Sequence, residues 1–298
     1  MPVVYLGTSP FAAAVLERVA ADERTRPALV VTRPDSAQGR GRKLAPPPVA
    51  SAARALGIDL LQPRSVNAPE AFERIAAAAA GGPVVVCAFG ALLREPLLSG
   101  LELLNVHPSL LPRWRGAAPV ERAIMAGDEQ SGVCIMRVTA GLDAGPVALR
   151  ASEPILPEDT YGTLAARLQE LAAELLQTAL TEPLEFAEQD EDGVTYADKI
   201  EAADRLLDGS RTAAELERTV RALTPHIGAR VALADGTLLG VLAARAGAGG
   251  GDGLFADGDR LLLGSADGVL ELLEVRPPGG RAMAAADYLR GRRAQGRL

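Results

Sequence analysis

Val3-Val-Tyr-Leu-Gly7-Thr-Ser-Pro10-Phe11 opens the chain and decides how the rest is read. An unbroken apolar run with no polar alternation predicts a strand covered on both faces. It ends in a Gly-Thr-Ser-Pro turn, and Phe11–Ala21 then reads as a helix. Outward from there the same unit repeats. Ala28–Thr32 is a second strand and Pro48–Leu56 a helix; Ile58–Leu61 precedes a helix at Pro69–Ala80; Val84–Ala88, Leu103–His107 and Val133–Thr139 continue the series. Short β-branched runs separated by helices predict an α/β fold, a doubly wound, mostly parallel sheet of Rossmann-like type. Ligands of such sheets bind at the carboxyl ends of the strands. A long amphipathic helix at Thr160–Thr181 closes this domain.

Beyond it the pattern changes. Residues 182–204 are polar and acidic and read as a linker crossing the surface. A helix at Ala213–Leu223 precedes short, glycine-punctuated strands at Arg230–Leu233, Leu238–Ala243, Leu261–Gly264 and Val269–Val275. Closely spaced short strands predict a small OB-like β-barrel. The expected organisation is an α/β domain over 1–181, a linker over 182–204 and a C-terminal domain over 205–298.

The composition of the 298 residues, 48% hydrophobic and 23% charged, excludes a disordered, collagenous or disulfide-stapled chain. Lys+Arg 31 against Asp+Glu 38 gives a net charge of −7, which argues against nonspecific coating of nucleic acid. Positive charge is nevertheless gathered in two places. Residues 33–43 carry Arg33, Arg40, Arg42 and Lys43 against Asp35 alone, and residues 276–298 hold six arginines against Asp287. An acidic body with local basic patches suits an enzyme that meets a large anion at chosen places. The start of the chain shows no signal-peptide pattern. No stretch approaches the roughly 18 apolar residues of a membrane span. The two cysteines, Cys87 and Cys134, build no disulfide framework. A soluble, cytoplasmic protein with no membrane partner is expected.

The usual phosphate-cradling glycine motifs, G-x-G-x-x-G after the first strand and G-x-x-x-x-G-K-[ST] anywhere, are absent. A nicotinamide-dependent dehydrogenase therefore fits the fold but not the sequence. Metal ligands are also poorly supplied: His107 and His226 are far apart, and neither cysteine has a metal-binding companion. The two thiols lie inside apolar strands and read as buried structural groups. His107 is different. It ends an apolar strand and is followed by Pro108, and Asn105 projects to the same face because strand side chains alternate. Gly141-Leu-Asp143-Ala-Gly145 puts a carboxylate on a glycine-flanked turn after the next strand, within reach of the imidazole. Taken alone, the same residues also describe a capped strand end and a turn aspartate.

The wider context is more specific. Asn105-Val-His107-Pro-Ser109-Leu-Leu-Pro112-Arg-Trp-Arg-Gly116-Ala-Ala-Pro119, together with Gly141-Leu-Asp143-Ala-Gly145, resembles the 10-formyltetrahydrofolate-dependent formyltransferases. Gly7-Thr-Ser-Pro-Phe-Ala12, the basic stretch from Arg33 to Pro46 and Val194-Thr-Tyr-Ala-Asp-Lys199 are similar to the branch that formylates initiator methionyl-tRNA. Gly268-Val-Leu270 and Pro277-Pro-Gly-Gly-Arg-Ala-Met283 extend the match over essentially the whole chain.

The resemblance implies formyl transfer from 10-formyltetrahydrofolate, a co-substrate, to the methionine amino group of initiator tRNA, a step of translation initiation. Asn105 would donate to the developing oxyanion, and His107 and Asp143 would orient and relay the proton; no metal or covalent intermediate is implied. Ser109, Leu110, Leu111 and Pro112 would line the folate site, with Phe89 and Gly90 on the opposite wall. Arg40, Arg42 and Lys43 would enter the tRNA acceptor stem, and the barrel and Arg-rich tail would hold the tRNA backbone. The enzyme is expected to be a monomer. The chain departs from the family where Thr224-Pro225-His226-Ile227 replaces an aromatic stretch. Two other readings compete. A formyltransferase acting on a 4-amino-4-deoxy sugar nucleotide shares the Asn/His/Asp set but not the basic insertion. A non-enzymatic RNA-binding protein leaves that set without purpose.

Overall fold

The computed structural model describes residues 1–38 and 43–294, which form two compact units. The first unit comprises residues 1–116, 131–153 and 165–196, and the second 117–130, 154–164 and 197–298. In chain order the first half contains β1 (Val3–Gly7), α1 (Pro10–Val19), β2 (Pro27–Val31), β3 (Ser36–Gln38), β4 (Lys43–Ala45), α2 (Pro48–Leu56) and β5 (Asp59–Leu61). It continues through α3 (Pro69–Ala79), β6 (Val84–Cys87), α4 (Leu97–Gly100), β7 (Leu103–His107) and β8 (Arg115–Gly116).

The main sheet has the order β10-β9-β7-β6-β1-β2-β5, where β9 is Gln130–Arg137 and β10 Val147–Pro154. From β7 to β5 every pairing is parallel, and β7 pairs antiparallel with β9. Every residue of β1 is buried, as its unbroken apolar pattern requires. Val4, Leu6, Leu29, Ile75 and Leu103 share one core cluster. Chain reversal after β1 is built locally: Ser9 caps α1 by accepting from the Ala12 N–H, and Pro10 occupies the first helical turn. Register then sets the site. Val86 lies beside Asn105 and Cys87 beside Val106, while His107 pairs with Cys134 across the antiparallel seam. The ends of β1, β6 and β7 therefore stand side by side.

The basic segment 33–43 contains structure that its glycines do not announce. β3 and β4 pair antiparallel, with Ser36 opposite Ala45 and Gln38 opposite Lys43. Lys43 is exposed; Arg40 and Arg42 lie outside the described residues.

The later elements are α5 (Pro119–Ala126), α6 (Tyr161–Thr181), β11 (Tyr196–Ala197), α7 (Ala213–Leu223), β12 (Ala229–Ala232), β13 (Leu238–Gly247), β14 (Leu254–Asp257), β15 (Arg260–Gly264), β16 (Val269–Arg276), β17 (Met283–Ala284) and α8 (Ala285–Ala294). In the second unit an antiparallel sheet of order β12-β13-β16-β15-β14, with β17 on β16, curls into a half-barrel. Thr212 and Glu215 form a reciprocal capping box that starts α7. Leu216, Val220 and Leu223 of that helix pack into a core with Leu239, Val241 and Leu270.

The compact units do not follow the expected cuts at 181 and 205. Segment 117–130 packs within the second unit, because Met125 joins its core and Arg122 makes a two-pronged contact with Asp204 at 2.9 and 3.0 Å. Arg122 holds the Asp204 carboxyl below the usual carboxylate range. Residues 182–196 belong to the first unit and, although mostly exposed, are tied to it. Val147 and Ala187 exchange backbone hydrogen bonds of 2.8 and 3.0 Å, and Gln189 is buried. Among the described residues no helix is long and apolar enough to cross a membrane.

Candidate active site

The alternation of β7 places Asn105 and His107 on one face, and the Gly141–Gly145 turn brings Asp143 to them. Asn105 Nδ2 donates to Asp143 Oδ1 at 3.2 Å, and the Gly116 N–H donates to Asp143 Oδ2 at 2.8 Å. His107 Nδ1 stands 3.7 Å from Asp143 Oδ2, with the imidazole side chain 5% and the carboxylate side chain 18% exposed. The structure thus brings the three predicted residues together at the carboxyl end of β7.

The backbone around them is unusual. Asp143 has φ +45° and Trp114 φ +64°, both in the left-handed region that costs a non-glycine residue about 1–2 kcal/mol. At Gly145 a Cβ would lie 2.0 Å from the Arg137 carbonyl oxygen, so only glycine lets the Asp143 turn close. Trp114 uses its strained conformation to aim its carbonyl at His107 Nε2, 2.8 Å away. A carbonyl only accepts, so Nε2 is assigned the proton. In the neutral imidazole the Nδ1 lone pair then faces the Asp143 carboxylate. At 3.7 Å these two acceptors make no hydrogen bond with each other. An amine N–H placed between them satisfies both. Asn105 keeps a second amide N–H that no protein acceptor engages among the described residues.

The residues expected to line a folate site are divided by the structure. Leu111 is buried in a small core with Cys134, Met136 and Val147, and Phe89 is buried in the main core. Ser109 is buried and its hydroxyl donates to the Arg113 carbonyl at 2.7 Å. Leu111 and Phe89 therefore pack their side chains against neighbouring apolar groups. Leu110 and Pro112 are half-buried, and Gly90 is exposed with φ +72°. A cavity of about 800 Å³ opens at the ends of β1, β2 and β6, lined by Thr8, Thr32, Phe89 and Gly90 and rimmed by Arg33, Arg64 and Arg94.

Cys87 and Cys134 are buried, and burial pushes the Cys87 thiol up to about 12. A thiol so disfavoured from ionising is inert. Native protein treated with iodoacetamide at pH 8 is expected to retain both free thiols and full activity; rapid labelling with loss of activity would contradict this. No group of three His, Cys, Asp or Glu side chains among the described residues is placed to hold a metal. In the second unit His226 stacks on Tyr161 at 3.6 Å between ring centroids, and its Nε2 lies 2.9 Å from Glu121 Oε1. The Thr224–Ile227 departure is therefore occupied by an internal aromatic contact.

Sequence reasoning missed four parts of the site: the Trp114 carbonyl, the Gly116 N–H, Gln189 and Arg115. The first two are backbone groups with no side-chain signature. Gln189 donates to the Asp143 and Gly145 carbonyls at 2.7 and 2.8 Å, although 46 residues separate it from Asp143. Its signal, an amide in an acidic stretch, reads as solvated surface.

Comparison with known proteins fits this geometry. The family model described as formyl transferase matches residues 1–180, and that of the formyl transferase C-terminal domain matches residues 199–293. The methionyl-tRNA formyltransferase of Halorhodospira halophila is 44% identical over 302 residues, covering 98% of this chain and 96% of that protein. Two solved structures share the fold. The N-formyltransferase of Helicobacter canadensis, in complex with folinic acid and dTDP-3-aminofucose, has a TM-score of 0.66 at 15% identity, over 91% of this chain and 98% of that one. A HypX variant from Aquifex aeolicus has a TM-score of 0.65 at 16% identity, over 100% of this chain but 48% of that one. With both family domains matched in order and a near full-length relative at this identity, the chain belongs to the formyltransferase family, in its methionyl-tRNA formyltransferase branch.

Proposed function

We propose that this chain transfers the formyl group of 10-formyltetrahydrofolate to the α-amino group of methionine on initiator methionyl-tRNA. The observation that carries the reading is the convergence of Asn105 Nδ2, His107 Nδ1 and Asp143 at one strand end, with Nδ1 and Oδ2 separated by a gap suited to an N–H donor. An α-amino group has a pKa of about 7.7–8.0, so part of it is neutral and nucleophilic near pH 7. His107 Nδ1 and Asp143 Oδ2 hold that amine by its N–H bonds and aim its lone pair at the formyl carbon. Attack makes a tetrahedral oxyanion, and the free Asn105 N–H is the donor for it. His107 then takes the ammonium proton and passes it toward N10 of the departing folate, while Asp143 stabilises the imidazolium.

Gly90, Leu110 and Pro112 offer the surfaces to the pterin, and the buried Ser109, Leu111 and Phe89 hold those segments in shape. Arg40, Arg42 and Lys43 act on the acceptor stem, where forked guanidinium groups suit phosphates and base edges. The chain works as a monomer in the cytoplasm. Formyl transfer to methionyl-initiator tRNA, with a 4-amino-4-deoxy sugar nucleotide as the parallel acceptor, tests the reading. Transfer to the tRNA alone is expected. Transfer to the sugar alone would keep the catalytic set and reject the acceptor.

A further inference from the structure

Asp143 sits in the left-handed region at φ +45°, on a turn whose carbonyls are held by a group distant in sequence. Its carboxylate is tied by Asn105 and Gly116, contacts that act on the side chain rather than on the backbone of the turn. The turn itself is clamped from below. The single amide group of Gln189 spends both hydrogens on it, one to the Asp143 carbonyl at 2.7 Å and one to the Gly145 carbonyl at 2.8 Å. Gln189 Oε1 in turn accepts from Arg115 Nε at 3.1 Å and Nη2 at 2.9 Å. Arg115 is 5% exposed and, among the described residues, faces no carboxylate.

A buried guanidinium is costly to desolvate and is placed against a neutral amide only at some loss of stability. The arrangement makes physical sense if that amide must be held and polarised. The guanidinium charge donated against Oε1 polarises the amide and strengthens its two N–H donors. The Arg115 backbone is itself anchored, its N–H donating to the Thr195 carbonyl at 2.9 Å.

We propose that Gln189 and Arg115 are positioning residues for the transfer reaction: they lock the Asp143 turn so that its carboxylate stays in register with Asn105 and His107. The proposal rests on the catalytic reading of Asp143 given above. It requires that Gln189 act through Asp143 and through nothing else. Removing the clamp frees the turn, and a displacement of about 1 Å costs on the order of 10²-fold in rate. Substrate affinity changes little, because neither residue is assigned to a binding surface.

The test is a double-mutant cycle on kcat. Gln189→Leu, Asp143→Asn and the double variant are compared with the full-length wild type at saturating 10-formyltetrahydrofolate and methionyl-tRNA. Gln189→Leu is expected to lose about 10²-fold in kcat with both KM values within about twofold. In the Asp143→Asn background the same change is expected to cost less than about threefold, since the group it positions is already gone. Losses that multiply in the double variant, with Asp143→Asn itself slow, overturn the positioning role and leave Asp143 catalytic. Wild-type turnover of Asp143→Asn overturns both. Where Gln189→Leu does not fold, Gln189→Glu decides: it keeps the volume and pairs with Arg115, but sets an acceptor against the two carbonyls. A lowered kcat at an unchanged Tm supports the clamp, and an unchanged kcat rejects it. Arg115→Lys, which keeps charge but loses the fork, is expected to fall between wild type and Gln189→Leu in kcat.

Discussion

Asn105→Ala is expected to lower kcat by about 10²–10³-fold while leaving the Kd for methionyl-tRNA near that of the wild type. The reason is geometric. Asn105 has two amide hydrogens; one is spent on Asp143 Oδ1 at 3.2 Å, and the proposed mechanism uses the other as the donor to the oxyanion. Alanine removes both at once, so the transition state loses its proposed donor and the Asp143 carboxylate loses the hydrogen bond it accepts from Asn105. The ground state of either substrate loses nothing comparable. Asn105→Asp separates these effects from volume: it keeps the shape but places a second carboxylate against Asp143, and its kcat is expected to be at least as low. The measurement is single-turnover transfer at saturating co-substrate, paired with tRNA binding by fluorescence titration. A kcat within threefold of wild type for Asn105→Ala would remove this residue from the mechanism.

The second large effect is expected at Asp143. Asp143→Asn should lower kcat by about 10²–10⁴-fold, the range for removing a group that moves or stabilises a proton in flight. The substitution is nearly isosteric, and its carbonyl oxygen can still accept from the Gly116 N–H, so the fold is retained. What disappears is the negative charge 3.7 Å from His107 Nδ1. Without it the imidazolium formed on taking the amine proton is no longer stabilised. With its carbonyl oxygen on Gly116, the new amide NH2 is set against the Asn105 amide, donor against donor, and that hydrogen bond is lost. Stability is expected to be close to wild type by thermal unfolding. Normal turnover in Asp143→Asn would falsify the proposal that this carboxylate supports proton transfer.

How much of this was legible in the sequence depended on the range over which each feature is determined. The parallel sheet was readable because its strands are buried on both faces and so carry unbroken apolar runs, as in Val3–Gly7. Asn105 and His107 were readable as a pair because strand alternation is a two-residue property. Asp143 was readable from its flanking glycines, one of which, Gly145, has no room for a side chain. The second core was readable in kind, as short strands after a helix.

The remainder lies in contacts that no local pattern encodes. That His107 presents Nδ1 rather than Nε2 follows from one carbonyl on a Trp in the left-handed region, and backbone groups leave no mark on residue type. Segment 117–130 joins the second unit through Met125 and the Arg122–Asp204 pair, while 182–196 joins the first through Ala187 and Gln189, both against chain order. The same physics governs Leu111 and Phe89, whose burial depends on strands and loops distant in sequence. The sequence by itself determined the sheet, since propensity, periodicity and spacing act over a few residues, and its motifs carried the resemblance that singles out Asn105, His107 and Asp143. The tertiary structure alone decided the histidine tautomer, the buried clamp on Asp143 and the membership of the two units. Each of these depends on where a desolvated polar group finds its partner, and that partner lies tens of residues away along the chain.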